Sequence, residues 1–189
     1  MKSKLDTKIS FYDDCRDTVG RVRSLRQTLA NIRDDQRLAK VVAALRPLYA
    51  AAAASGSDDE KARYDSAKRV LPAVTLSGTF TTRAIVGLAA YANVLQADLD
   101  HLRAKGFDIA ELKARLAGDP HALFVFESPS GDGLKAGILI ETGAEDHAAA
   151  FAAMRRYFSA TYGIEPDAAC SDVSRLCFLS SDPLLHINE

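Results

Sequence analysis

The apolar positions of this chain change period part-way along it. Leu25, Leu29 and Ile32, then Leu38, Val41, Val42 and Leu45, recur at intervals of three and four, which predicts two helices. Pro47 is expected to end or kink the second, because it lacks the amide that an interior turn needs. The alanine run 50–54 and the SGSDDE that follows read as a fraying helix end and a surface loop. A charged third helix is expected over about 59–70, stopping ahead of Pro72. PAVTLSGTF then predicts a strand running into a turn, and a short helix is expected near 83–91.

From Val94 the elements alternate. VLQADLD, ALFVFES, LKAGILIE and VSRLCFLS read as strands. A helix over 108–116, with Asp108 as cap and Gly118 as stop, and another over 145–162, stopped by Gly163, separate them. The order is βαββαβ, the split βαβ of ferredoxin-like and RRM-like sheets. The expected class is therefore α+β: one domain over 1–189, with a mainly helical N-terminal lobe over 1–92 and a βαββαβ core over 93–189. In the usual 4-1-3-2 strand order the first strand lies between the third and the fourth. Asp98 and Asp100, Lys135, and Asp172 with Arg175 should then converge at one sheet edge.

Composition narrows the class without changing this picture. The 189 residues are 48% hydrophobic and 26% charged, which suits a packed globular chain rather than a disordered one. No run of 18 apolar residues appears and the basic start has no apolar stretch behind it, so neither a membrane span nor a secretory signal is expected, and the cytoplasm is the expected location. A net charge of -1 gives no chain-wide electrostatic grip on nucleic acid, although a local basic groove remains compatible with it. Cys15, Cys170 and Cys177 show no metal-ligand spacing and read as small buried thiols. The four histidines are scattered; His147, opening a helix, reads as a packing or capping residue.

The candidate chemistry lies in three segments. Asp98 and Asp100, two apart on a strand, present both carboxylates to one face, a hard-oxygen pair suited to Mg²⁺ or Mn²⁺. Solvated residues at a strand end give the same pattern. SPSGDGLK places Ser128, Ser130, Gly131, Gly133 and Lys135 where a glycine turn would bring amides and an ammonium to a phosphate. The same letters suit a plain hairpin. Asp172 would complete a metal site and Arg175 would take phosphate oxygens, or the two form a surface ion pair. Phe124 and Phe126 share a strand face, as sheet core or as stacking platforms for bases.

Taken together, LPAVTLSGTF (71–80), ADLDHL (97–102), SPSGDGLK, HAAAF (147–151), YGI (162–164) and DVSRLCFLSSDP (172–183), with NIRDDQRLAKVVAALR (31–46) ahead of them, resemble the VirE N-terminal family over nearly the whole chain. These are primase-polymerase-like domains, similar to the archaeo-eukaryotic primase superfamily, found ahead of helicase-like ATPase modules in phages and mobile elements. The resemblance implies that Asp98, Asp100 and Asp172 are catalytic metal ligands, and that the turn residues with Lys135 and Arg175 bind the phosphates. At the superfamily's histidine position this chain carries Lys135. The expected partners are a nucleoside triphosphate, a DNA template and a helicase-like module in cis or in trans, with no membrane. The expected activity is metal-dependent nucleotidyl transfer in replication of a mobile element. A catalytically degenerate module that docks DNA or a helicase partner is the alternative, and another metal-dependent nucleotide enzyme on the same fold is a third.

Overall fold

A computed structural model describes residues 3–188. The chain begins with two strands, β1 (Lys8–Tyr12) and β2 (Arg21–Ser24), followed by helices α1 (Leu25–Asp34), α2 (Gln36–Ser55) and α3 (Asp58–Lys68). Short strands β3 (Ala73–Thr75), β4 (Gly78–Phe80) and β5 (Leu88–Tyr91) lead to β6 (Val94–Asp100), α4 (Ile109–Ala117), β7 (Ala122–Glu127), β8 (Gly133–Leu139) and α5 (His147–Tyr162). Two-residue strands β9 (Cys177–Phe178) and β10 (His186–Ile187) close the described chain.

The strands form two antiparallel four-stranded sheets, ordered β2-β1-β3-β9 and β10-β7-β8-β6, and a β4-β5 hairpin. Alternation along β6 explains how they stack. Leu95, Ala97 and Leu99 face α4 and α5 in one core with Leu112, Leu116, Phe151 and Phe158. Val94, with Phe124 and Phe126 of β7, packs on the other face against Ile9, Phe11, Val74 and the apolar sides of α1 and α2. Both phenylalanines are thus core, their rings stacked on each other between the sheets rather than open to a base.

The helix signals in the sequence are local and hold. Ser24 and Gln27 make a reciprocal capping box at α1. Asp108 accepts from the Glu111 amide at α4, and Gly163 ends α5 in the left-handed conformation.

Several expectations are corrected. The start of the chain is not purely helical: β1 and β2 precede α1, and β1 is the buried strand that joins β2 to β3. Helix α2 runs through Pro47 to a left-handed Gly56, because Leu38, Val42 and Leu45 anchor it before the proline and Leu48 and Tyr49 pack on the core after it. By length and composition this helix, with mean hydropathy 1.2, is apolar enough to cross a membrane. Residues 83–91 form a 3₁₀ turn and β5, which pairs with β4, not a helix.

The largest correction concerns the last strand. Only Cys177–Phe178 is extended, and it pairs with β3 in the other sheet. The position beside β6 is taken by a loop and a 3₁₀ turn over Ala168–Ser171, joined to β6 by the Asp167 amide on the Asp98 carbonyl. Strand β6 is therefore an edge and not the middle of the sheet.

Candidate functional site

Strand β6 delivers Asp98 and Asp100 to the face turned toward the N-terminal helices. The β6–β8 register sets Asp98 directly opposite Lys135 and Asp100 opposite Gly133. Lys135 is 3% exposed and its ammonium forms an ion pair with Asp98 Oδ2. Burial works against that ammonium, but Asp98, then Cys177 and Asp100, outweigh it and hold its pKa above the ordinary lysine value. The other oxygen, Asp98 Oδ1, is buried without a hydrogen-bond partner, as are both polar atoms of the Gln96 side chain, two residues earlier on the same face.

Asp100 differs from its neighbour. Among the described residues its carboxylate accepts no hydrogen bond and makes no ion pair; only its backbone carbonyl is engaged, by Lys105 Nζ at 2.8 Å. Burial, with the Asp98 charge second, raises its pKa, against the opposing pull of Lys135, Lys68 and His101.

Two cavities meet at Asp100. One, of about 460 Å³, lies between the C-terminal half of α2, α3 and the turn after β6; Tyr49, Tyr64, Lys68, His101, Ser130 and Asp132 are among its walls. The other, of about 310 Å³, is lined by Asp98, Asp100, His101, Lys105, Glu165 and Asp167. His101 belongs to both and holds a positive φ of 58°, uncommon for a residue with a Cβ. Tyr49 Oη fixes the far wall: it donates to Asp132 Oδ2 at 2.7 Å and lies 3.0 Å from His101 Nδ1. Since the Tyr49 proton goes to Asp132, the geometry calls for His101 Nδ1–H as the donor to Tyr49.

Lys68, one turn beyond Tyr64 on α3, sits over the rings of Tyr64 and Phe178 at 5.7 and 5.3 Å and has no acidic partner within 4 Å among the described residues. Its pKa is lowered, first by burial and next by Lys135. Burial pushes the Tyr64 hydroxyl up to about 12.

The expected three-way convergence is half realised. Asp98, Asp100 and Lys135 come together. Asp172 does not join them: it is exposed, accepts from Ser174 N and Oγ at 2.8 Å, and its charge acts on His147. Arg175 is exposed and reaches Asp167 at 3.5 Å, so it neighbours the smaller cavity only through that residue. Both departures follow from the missing fourth strand, and the acid beside β6 is Asp167 instead.

The SPSGDG turn is also built differently. The Ser128, Gly131 and Asp132 amides bond to Gly133 O, Ser128 O and Ser130 Oγ, and Pro129 has none to offer. The turn thus spends these amides on its own closure. Ser128 Oγ pairs with Ser130 Oγ at 2.9 Å, and only Ser130 reaches the larger cavity. Gly131 is needed for its φ of 71°, and Gly133 because a Cβ there would stand 2.5 Å from the Leu99 carbonyl.

No group of three or more His, Cys, Asp or Glu side chains is drawn together to hold a metal among the described residues. The donor chemistry present suits a hard cation at two carboxylates, Asp98 and Asp100, with Asp167 and Glu165 on the same cavity wall.

Tyr49, Tyr64, Lys68, His101, Asp132 and Asp167 escaped the sequence reading. Tyr64 and Lys68 carried a signal, an aromatic and a cation four apart on an otherwise polar helix. The alanines 52 and 53, read as fraying, line the larger cavity because their small side chains leave it open.

Residues 66–186 match the family described as BT4734-like, N-terminal domain. The chain belongs to the BT4734-like N-terminal domain family. No curated protein and no solved structure matches it. The match replaces the resemblance to the VirE N-terminal family and its primase-polymerase relatives. Of the segments that carried that resemblance, those from Leu71 to Pro183 fall inside the matched span and are parts of a BT4734-like domain, while 31–46 lies ahead of it. Tyr64 and Tyr49 lie outside the matched span, so the larger cavity of this BT4734-like domain is walled partly by the preceding helices.

Proposed function

We propose that the β6 edge binds a nucleoside triphosphate together with Mg²⁺ or Mn²⁺ and transfers its nucleotidyl group to a hydroxyl acceptor such as the 3′ end of a DNA primer. One observation carries the reading: Asp100 opens onto two cavities with its carboxylate unpaired among the described residues, beside a second carboxylate whose Oδ1 is buried and unpartnered among them. Held this way, the two acids repel each other and lack solvation, and a hard cation relieves both costs. When bound, the ion would lower the pKa of the attacking hydroxyl and neutralise the departing pyrophosphate. Lys68 lines the larger cavity and feels the charges of Asp100 and Asp98, which makes it a cation for phosphate oxygens beside the acids. Lys135 does not reach substrate; it holds Asp98 in place from across the ladder. A cytoplasmic setting fits a nucleotide substrate.

A second reading is favoured by that same ion pair. Lys135 already neutralises Asp98, which suits a non-catalytic module that docks DNA or a helicase-like partner. Calorimetry with Mn²⁺ and inorganic tripolyphosphate, alongside primer extension, separates the two. The first reading expects metal-dependent tripolyphosphate binding and extension, both lost in Asp100→Asn. DNA binding that is indifferent to Mn²⁺ and to Asp100→Asn supports the second.

A further inference from the structure

The larger cavity has a feature that phosphate chemistry leaves unused: its floor and one wall are aromatic. Tyr49 and Tyr64 meet edge to face with centroids 5.3 Å apart, and His101 stacks on Tyr49 at 6.3 Å with the planes 27° apart. The ring positions are fixed rather than loose. Tyr64 is buried, and Tyr49 is held by its bond to Asp132, whose carboxylate also accepts from the Arg103 amide at 2.9 Å. One turn beyond Tyr49 on α2, Ala52 and Ala53 also line the cavity, and their small side chains leave space for a flat group. A volume of about 460 Å³ falls within the range of small-molecule sites.

Resting on the nucleotide reading above, we infer that this cavity takes the nucleobase of the bound nucleotide, laid against Tyr49 and Tyr64, while its phosphates turn past Asp100 toward the carboxylate pair. A base has an apolar face for the rings and polar edges for Ser130 Oγ and the side chains at the rim. Stacking of a base on an aromatic residue contributes about 1–3 kcal/mol, roughly ten- to a hundred-fold in affinity. Lys68 marks the junction, since it lies over Tyr64 and feels the charge of Asp100 and Asp98.

The test fills the cavity from the side away from the acids. Ala53 is exposed on α2, and Ala53→Phe places a ring in the space where the base would lie without touching Asp98, Asp100 or Lys135. Three probes are titrated into wild type and variant, with circular dichroism confirming the fold: a nucleoside triphosphate with Mn²⁺, inorganic tripolyphosphate with Mn²⁺, and the nucleoside 2-aminopurine riboside, whose fluorescence is quenched on stacking. The expected result is quenching of the riboside by wild type, and at least ten-fold weaker nucleotide binding in Ala53→Phe with tripolyphosphate binding unchanged. If nucleotide and tripolyphosphate bind wild type equally well and Ala53→Phe alters neither, the base lies elsewhere and this inference falls while the metal–phosphate reading stands. If the riboside is quenched but tripolyphosphate does not bind, the metal–phosphate reading falls and the base site stands. If neither nucleotide nor riboside binds, the inference is overturned.

Discussion

Lys135 lies directly across the β6–β8 ladder from Asp98, and its ammonium closes on that carboxylate in the interior between the two sheets. The sequence pattern gives this ammonium to a phosphate, whereas the fold gives it to Asp98. Buried, the pair carries a different consequence: removing one partner strands the other charge away from water. Lys135→Met is expected to destabilise the domain by about 3–5 kcal/mol, measured by urea unfolding. The double variant Lys135→Met/Asp98→Leu should recover much of that loss, because no charge is left behind. A single variant as stable as wild type would show that Asp98 has another source of neutralisation.

Asp100 should behave in the opposite way. Its folded pKa is raised, so the folded protein binds its proton more tightly than the unfolded chain does. Stability from this residue is then present at acid pH and is lost as the pH rises from the unfolded carboxylate range through the raised folded value. Asp98, Lys135, Lys68 and His101 are the charged or titratable groups acting on it. Asp100→Asn should therefore raise Tm at pH 7, with a gain that shrinks as the pH falls through the raised folded value and is gone below about 4, where the unfolded carboxyl is also protonated. A variant that gains stability while losing Mn²⁺-dependent tripolyphosphate binding is what a site held at a cost to folding predicts.

Gly133 was read as a backbone approach to phosphate. Its structural requirement is closer to home: it pairs with Asp100, and an added Cβ would press on the Leu99 carbonyl and Ser128 Oγ. Backbone cannot swing aside as a side-chain tip can. Gly133→Ala should cost about 1–3 kcal/mol in denaturant unfolding and shift the backbone amide resonances of residues 98–100.

His147 gives a pH dependence of the opposite sign to that of Asp100. Its ring is 4% exposed, Tyr91 Oη lies 2.8 Å from Nδ1, and Nε2 is buried without a partner. Burial lowers its pKa, opposed by the more distant Asp172. The unfolded chain therefore takes up the proton first as pH falls, and stability is lost below about pH 6.5, the ordinary histidine value. His147→Phe should flatten the fall in Tm between pH 7 and pH 5. An unchanged slope would assign the acid sensitivity to other groups.

What the sequence made legible was local. Asp108, Gly118 and Gly163 marked their helix ends because capping depends on a few neighbouring residues. The β6-α4-β7-β8-α5 run was readable for the same reason: its strands are six or seven residues long and rich in apolar residues. The failures were non-local. VSRLCFLS has a strand's composition, but whether it pairs with β6 or with β3 depends on contacts more than 70 residues away, and β3 takes only two of its residues. That single pairing moved Asp172 and Arg175 away from the acids. Strand β1 was hidden because KISFY is only five residues long, and its buried character comes from β2, β3 and the α1 face packed around it. Tyr49 reaches the site because α2 ignores Pro47, an outcome decided by packing rather than by propensity.

The edge formed by β6 is partly blocked to further strands without being covered by one. Its outward carbonyls at Val94, Asp98 and Asp100 are each occupied: by the Ser77 hydroxyl at 3.0 Å, the Asp167 amide at 2.9 Å and the Lys105 ammonium at 2.8 Å. Three unrelated donors, none of them a strand, blunt a row of acceptors that would otherwise template pairing with another chain. The protein thus gains protection against edge-to-edge aggregation while leaving the carboxylates of Asp98 and Asp100 open to the cavity beside them. A regular fourth strand would have given the first of these and removed the second.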